Sequence, residues 1–470
     1  MILVDKDVNN SKKFTEEVGL PNQTFKNVKK ALAWLSFLAF FSVLNETVFN
    51  VALPDIAKQF VVPPAVANWV NTSFILSFSI GSAIYGKISD MYGIKKLLII
   101  GLLTYSAGSL FGILAYAYLP AIIAARFIQG AGASAVPALI MVIIARHVRS
   151  EDRGKAFGLV GSLVAVGEGM GPVIGGMIAH YVHWSFLFII PMMTLVSIPF
   201  FLKVLPNESV SKGQIDILGV LLLSIGIVMF TLYTMQYNWI YIVISVVLFV
   251  GFSLHIRRAK EPFIEPSLFR KRKFIIGVLT GCILLGTVAG FISMVPYMMR
   301  DVHQLTTVMI GSGIIFPGTM SVIVFGIIGG TLVDKRGNTF VLSLGLFLSI
   351  FSFLIISLFL DETPWLMTGM LIFTFGGLSF IKTVISNSVA DSLEPEEAGA
   401  GMGMLNFACF LSEGIGIAVV GGMLTKRTLD FPLLPTVENA ASFLYSNVLL
   451  VFIIVMTIGW ALYTLAFRRK

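Results

Sequence analysis

Two glutamates stand where this chain has least use for a charge. Glu168 interrupts the glycine-rich apolar stretch GSLVAVGEGMGPVIGGMIA (161–179), and Glu413 interrupts a similar one, SEGIGIAVVGG (412–422). Glu46, Arg126 and Lys382 are the other ionisable residues inside apolar runs. Insertion scales put a charge at a helix centre in lipid at about 2.5–3.5 kcal/mol, so each is expected to be solvated or paired in the interior. Three acids and two bases point to an aqueous cavity that carries protons or cations. Lys382 has a second reading, because it lies far enough along its run to snorkel to the membrane interface. Arg126, in AARFIQGAGA, reads as a fixed counter-ion for a carboxylate of the same cavity.

The elements that must hold these groups follow from composition. The chain has 470 residues, 56% of them hydrophobic and 12% charged, with a mean hydropathy of +0.90, which excludes a soluble globular protein. Its apolar runs are roughly 18–26 residues long, the length of a membrane-spanning helix. A membrane barrel would need alternating apolar and polar residues, which are absent. The expectation is an all-α polytopic membrane protein with 14 transmembrane helices between residues 31 and 467. Cys282 and Cys409 both lie in apolar runs, so no disulfide framework is implied. The first 25 residues are polar and no signal peptide is expected.

Charge placement orients the spans. With the N-terminus inside, 27 of the 33 Lys and Arg residues fall in inside segments and only Lys58, Arg300, Lys426 and Arg427 fall outside. Both termini are then cytoplasmic in a cell membrane, and the net charge of +8 is mostly topology rather than a nucleic-acid footprint.

Glycines set the packing. Gly167, Gly171 and Gly175 recur every four residues on one helical face, so a neighbouring helix can approach backbone to backbone. Pro172 loosens the turn before it, and Gly176 extends the motif. Met294, Met298, Met299 and Met320 suit core packing better than a cavity wall.

A single offset then relates two parts of the chain. GKISDMYGIKK (86–96) follows the second span and GGTLVDKRGN (329–338) the tenth. From Asp90 to Asp334 is 244 residues, and from Glu168 to Glu413 is 245. The expected organisation is a cytoplasmic tail (1–30), a six-helix bundle (31–205), two inserted helices with a cytoplasmic linker (206–273), a second six-helix bundle (274–467) and a short C-terminus (468–470). An even number of crossings separates the bundles, so the pseudo-repeat is parallel, as in secondary transporters of the major facilitator type. In the first loop Gly86 and Gly93 permit tight turns, Asp90 can cap a helix, and Lys95 and Lys96 hold the next helix end at the interface. Its recurrence around Asp334 suggests a paired cytoplasmic gate.

Some functions are excluded. No phosphate loop of the G-x-x-x-x-G-K-[ST] kind suggests an ATP-driven pump, and no HExxH or Cys/His cluster suggests a hydrolase or metal enzyme. No enzyme activity, cofactor or resident metal is expected.

The motifs LNETVFNVALPDIA (44–57), GKISDMYGIKK, RFIQGAGASA (126–135) and GEGMGPVIGG (167–176) resemble the signatures of the fourteen-helix drug:proton antiporters of the major facilitator superfamily. AHYVHWSFLFIIPM, AGFISMVPYMM, IFPGTMSVIVFG and GGLSFIKTVIS are similar, more narrowly, to the class K and class L tetracycline efflux pumps of Gram-positive bacteria. The resemblance runs from about residue 34 to 424. It implies export of a tetracycline–divalent cation chelate such as the Mg²⁺ form in exchange for protons, with Na⁺ or K⁺ export against protons as a second activity. It carries coupling roles onto Glu46, Glu168, Glu413 and Asp334, makes Asp90 the gate carboxylate, and makes Arg126 the signature arginine. Glu46 departs from the aspartate usual in the wider branch. The alternatives are a multidrug exporter of lipophilic cations and a housekeeping cation/proton antiporter.

Overall fold

The computed structural model describes residues 28–148, 150–205, 216–260, 262–264, 266–394 and 398–467. Residues 1–27 of the expected tail, the C-terminal residues 468–470, and the side chains of Asp90 and Asp334 lie outside the described residues.

Within lipid every backbone N–H and C=O must be satisfied locally, which makes helix the only open-chain solution for such apolar runs. Helix α1 spans Val28–Val48 and passes through a 3₁₀ turn, Asn50–Ala52, into the short helix Leu53–Phe60. Helices α2 (Trp69–Tyr92) and α3 (Ile94–Leu114) follow, and α4 runs over Leu119–Ala133 and on into Ala135–His147. Helix α5 covers Ser150–Tyr181, and α6 begins as 3₁₀ turns at Trp184–Ser197 and continues through Ile198–Val204. Helices α7 (Ile217–Gln236) and α8 (Trp239–Ile256) form a hairpin. Helix α9 is Arg272–His303, and α10 opens with a π-helical segment, Met309–Ile315, before Phe316–Arg336. The last four are α11 (Asn338–Leu358), α12 (Pro364–Ala390), α13 (Ala398–Lys426) and α14 (Ala440–Phe467).

Among the described residues, 13 helical segments are long and apolar enough to cross a membrane. Helix α2 is not among them, although it has 24 residues. Its buried faces carry Asn71, Thr72, Ser73, Ser77 and Ser79, so it is wrapped by protein rather than lipid and needs no apolar exterior. Helix α8 is the opposite case: Val243, Val247, Val250 and Leu254 are all exposed at the edge of the bundle.

The packing falls into two sets of helices. In the first, α1 packs on α5, α2 on α4, α3 on α4 and α6; in the second, α9 packs on α13, α10 on α12, and α11 on α12 and α14. The two sets meet along α2–α13 and α5–α10. The end of the bundle holding the start of α1 and the end of α14 is called here the terminal end, and the opposite end the far end.

Two expectations about local structure change. GKISDMYGIKK is mostly helix, not loop: Gly86 lies inside α2, and only Gly93, at φ +79°, makes the turn into α3. Eight residues of GGTLVDKRGN likewise finish α10 before Gly337 turns at φ +82°. Glycine suits both turn positions because a Cβ there would be strained. Met294, Met298 and Met299 are fully buried core residues.

The α7–α8 hairpin is fastened by Asp216, which caps α7 through the Gly219 N–H at 2.8 Å, accepts from the Phe263 N–H at 3.0 Å, and pairs with His255 Nε2 at 2.6 Å. Burial alone would raise the Asp216 carboxyl, but these donors outweigh it and hold it below the ordinary carboxylate value.

Candidate functional site

At the seam between the two sets of helices lies a cavity of about 110 Å³. Glu46 from α1, Glu168 from α5, Lys382 from α12 and Glu413 from α13 all line it. Residues distant in sequence therefore converge on one chamber. Apolar side chains make most of the remaining wall, among them Ile75, Val288, Ile292, Phe375 and Ile417, with Asn50 and Thr319 as polar members.

The three carboxylates are partly buried, while Lys382 keeps an exposed side chain although protein surrounds it. The exposed surface of Lys382 faces the cavity, so its ammonium does not snorkel to a lipid interface. Among the described residues it is the one cation that feels Glu168, Glu413 and Glu46 together. Among the described residues no ion pair within 4.0 Å ties any of the four to another.

Glycines bring the acids there. A Cβ on Gly167 would lie 2.9 Å from the Phe40 carbonyl oxygen, and one on Gly171 or Gly175 would overlap Thr47 or Val48, so the face they share is filled by α1. Glu168 is thereby held beside the end of α1 that carries Glu46. On the other face of α5, Pro172 and Gly176 meet α10: a Cβ on Gly176 would lie 2.8 Å from the Thr307 carbonyl oxygen, and one on Gly311 would overlap the Pro172 carbonyl. Gly311 belongs to the π-helical segment, a distortion common where a helix serves a site.

Arg126 stands apart from the wall. It is fully buried, with its guanidinium between the rings of Phe49 (4.3 Å) and Phe74 (4.1 Å). Nε donates to the Val70 carbonyl at 3.1 Å and Nη1 to Gln129 Oε1 at 3.0 Å; Gln129 in turn donates to Ser109 at 2.8 Å. The expected counter-ion contact is not formed: among the described residues no carboxylate pairs with Arg126, although the charge of Glu46 reaches it. Arg126 backs the cavity and ties α2, α3 and α4 together. Lys95 and Lys96 start α3 at the terminal end, and Gly86 has open space around it.

The far end is sealed by residues outside the expected set. Arg300 Nη1 donates to Asp55 Oδ1 at 2.5 Å, and Thr307 donates to Asp55 Oδ2 at 2.6 Å while accepting from Arg300. Tyr297 donates to Asn68 at 3.0 Å, also across the seam. One signal was available in the sequence: Arg300 is among the few bases that the charge reading leaves off the side rich in Lys and Arg, a position that favours a specific partner over a topological role. Toward the terminal end the seam relaxes, and Gly161 on α5 and Gly330 on α10 have nothing within 4 Å of an added Cβ.

A polytopic helical bundle with a charged chamber at the seam of two helix sets has the architecture of a membrane transporter. The chain belongs to the Major Facilitator Superfamily, whose family model matches residues 35–417. It is therefore a transporter of that superfamily. It is 24% identical over 386 residues to the riboflavin transporter RibZ of Clostridioides difficile, covering 81% of this chain and 84% of that protein. It is 27% identical to multidrug resistance protein 3 of Bacillus subtilis, covering 76% and 72%, and 24% identical to the multidrug transporter protein MdtP of the same organism, covering 83% and 74%. Its fold matches crystal structures of the peptide transporter POT (TM-score 0.69, 13% identity, 95% and 97% covered) and of the nucleoside transporter NupG (TM-score 0.65, 16% identity, 92% and 100% covered).

Proposed function

We propose that this chain is a proton-coupled antiporter that exports tetracycline as a divalent-metal chelate, with exchange of Na⁺ or K⁺ for protons as a second activity. The observation that carries the reading is the convergence of Glu46, Glu168 and Glu413 on one chamber with Lys382. A carboxylate holds either a proton or a cationic chelate, and that competition couples the two flows. At about 110 Å³ the chamber has room for about four water molecules at roughly 30 Å³ each. Drug-sized cargo therefore enters only when the two helix sets part. Fourteen crossings, two six-helix units with the α7–α8 insertion, and a cytoplasmic terminal end complete the proposal. The matched packing pairs and the bias of Lys and Arg support it.

The test uses everted membrane vesicles with an acidified interior, labelled tetracycline and Mg²⁺ or Co²⁺. Metal-dependent uptake that a protonophore abolishes and Glu413→Gln removes supports the assignment. Absence of uptake by well-expressed parent protein overturns the substrate, whereas uptake surviving in Glu413→Gln overturns the central carboxylate.

One observation favours a second reading, a multidrug exporter of lipophilic cations: most of the chamber wall is apolar, including Phe375 and Ile417. EDTA separates the two, because it abolishes export of a metal chelate and leaves export of an organic cation intact.

A further inference from the structure

Two thiols that do not line the chamber stand together on α9 and α13, one helical turn to its terminal side. The two helices are in close backbone contact: a Cβ on Gly286 would lie 2.8 Å from the Ser412 carbonyl oxygen, and one on Gly281 would lie 3.2 Å from Cys409 Sγ. Cys282, the next residue, donates its thiol to the Ala408 carbonyl at 3.4 Å. That carbonyl belongs to the residue before Cys409, so both side chains lie at one level of the α9–α13 contact. Both cysteines are free; Cys409 is 8% exposed and Cys282 is half-buried. Cys409 precedes Glu413 by four residues and so lies on the same face of α13, while Cys282 precedes the cavity-lining Leu285 by three on α9.

We propose that Cys282 and Cys409 together form a two-sulfur site for a soft, thiophilic centre such as mercury(II), copper(I) or trivalent arsenic, and that its occupancy blocks transport. The ligand set selects the class. Soft thiolates prefer soft ions, and two sulfurs satisfy centres that accept low coordination. Among the described residues no cluster of three or more His, Cys, Asp or Glu surrounds them, so a tetrahedral zinc site lacks its ligands. An arsenical makes the stoichiometry explicit. Phenylarsine oxide condenses with both thiols: two As–S bonds form, the As–O bond breaks, and the two thiol protons leave with that oxygen as water. The product puts a bulky group one turn from Glu413, against the wall of the chamber. The block rests on the transport reading above; the binding does not.

The experiment uses the purified full-length protein, folded in detergent, with phenylarsine oxide as the probe. The expected result by intact mass is one phenylarsine per chain, with loss of both maleimide-reactive thiols. A dithiol such as dimercaptopropanol reverses the adduct and an equimolar monothiol does not. Cys282→Ser and Cys409→Ser each lose the adduct, and both keep the parent's basal transport because neither side chain lines the chamber. An adduct that forms only after denaturation, or that survives in either serine variant, overturns the site. Full occupancy with undiminished transport overturns the block alone.

Discussion

Arg300 Nη1 and Asp55 Oδ1 meet at 2.5 Å across the seam between the two helix sets, although 245 residues separate them. Thr307 bridges the same carboxylate, so a cation, a hydroxyl and a carboxylate close the far end together. Both charged side chains keep about a quarter of their surface exposed, which limits an ion pair of this kind to about 1 kcal/mol, or a fivefold change in the closed-to-open ratio. Arg300→Ala should raise, by about that factor, the rate at which a maleimide applied from the far end labels a cysteine placed at Asn50, in a background of Cys282→Ser and Cys409→Ser. Exchanging the charges, with Asp55→Arg and Arg300→Asp together, should bring the rate back toward the parent value. An unchanged rate in Arg300→Ala would remove the pair from the seal.

Glycines on one helix should differ sharply in what they tolerate. A Cβ at Gly175 would overlap the Val48 carbonyl inside one helix set, so Gly175→Val should cost about 1–3 kcal/mol of stability and lower the melting temperature. Gly311→Ala meets the Pro172 carbonyl across the seam, and should hold the far end open while leaving each helix set intact. Gly161→Ala and Gly330→Ala meet nothing within 4 Å and should be neutral or slightly stabilising. Equal melting temperatures for Gly175→Val and Gly330→Ala would refute the packing described for α5 and α1.

Arg126 should resist even the substitution that preserves its charge. Lysine cannot reproduce the planar stack between Phe49 and Phe74 or the simultaneous donation to Val70 and Gln129. Arg126→Lys is expected to cost a few kcal/mol, since stacking on two rings and charge-assisted hydrogen bonds are each worth about 1–3 kcal/mol in a buried setting. Thermal unfolding in detergent measures it. A variant as stable as the parent but inactive would instead assign Arg126 to the transport cycle.

The charged residues of the chamber were legible in the sequence because charge in an apolar run is costly and therefore rare. Glu46, Glu168, Lys382 and Glu413 stood out on that ground, and three-dimensional packing sets all four on one chamber. The spacing of Gly167, Gly171 and Gly175 was readable too, because a four-residue period marks one helical face. Arg126 shows the limit of the method: its type and depth were visible, but its partners are aromatic rings and backbone carbonyls, which carry no sequence signal. The second span was legible too, and the serines and asparagines of α2 are tolerated because it is surrounded by other helices rather than lipid. The helical reach of Gly86–Tyr92 was missed, since glycine and charge near a membrane boundary read as a turn while the backbone continues its helix to the interface.

Asp216 should make the attachment of the α7–α8 hairpin depend on pH. Its carboxyl is held below the ordinary value, so the unfolded chain binds the proton more readily than the folded one. The stabilisation is therefore complete at neutral pH and is lost as pH falls through the depressed value, below about 3.9. Asp216→Asn removes the charge beside His255 and should lower the melting temperature at pH 7, with the gap from the parent closing as the medium is acidified into that range. A gap that is constant with pH would show that the cap acts by hydrogen bonding alone.

Lys382 gives the sharpest test of how the chamber is balanced. It is the only base in a wall with three acids, and its ammonium is linked electrostatically to all of them without a fixed ion pair. Lys382→Met removes the base from the wall and leaves only the charge of Arg126 in reach of Glu46, so the carboxylates compete for protons and cations under mutual repulsion. If the lysine balances charge, Lys382→Arg should retain proton-driven transport, Lys382→Met should lose it, and the double variant Lys382→Met with Glu168→Gln should recover part of it. If it instead grips an anionic part of the cargo, the double variant should stay inactive while Lys382→Arg works with altered apparent affinity. Vesicle uptake measured for all three decides between these roles, and parent-level uptake by Lys382→Met would exclude both.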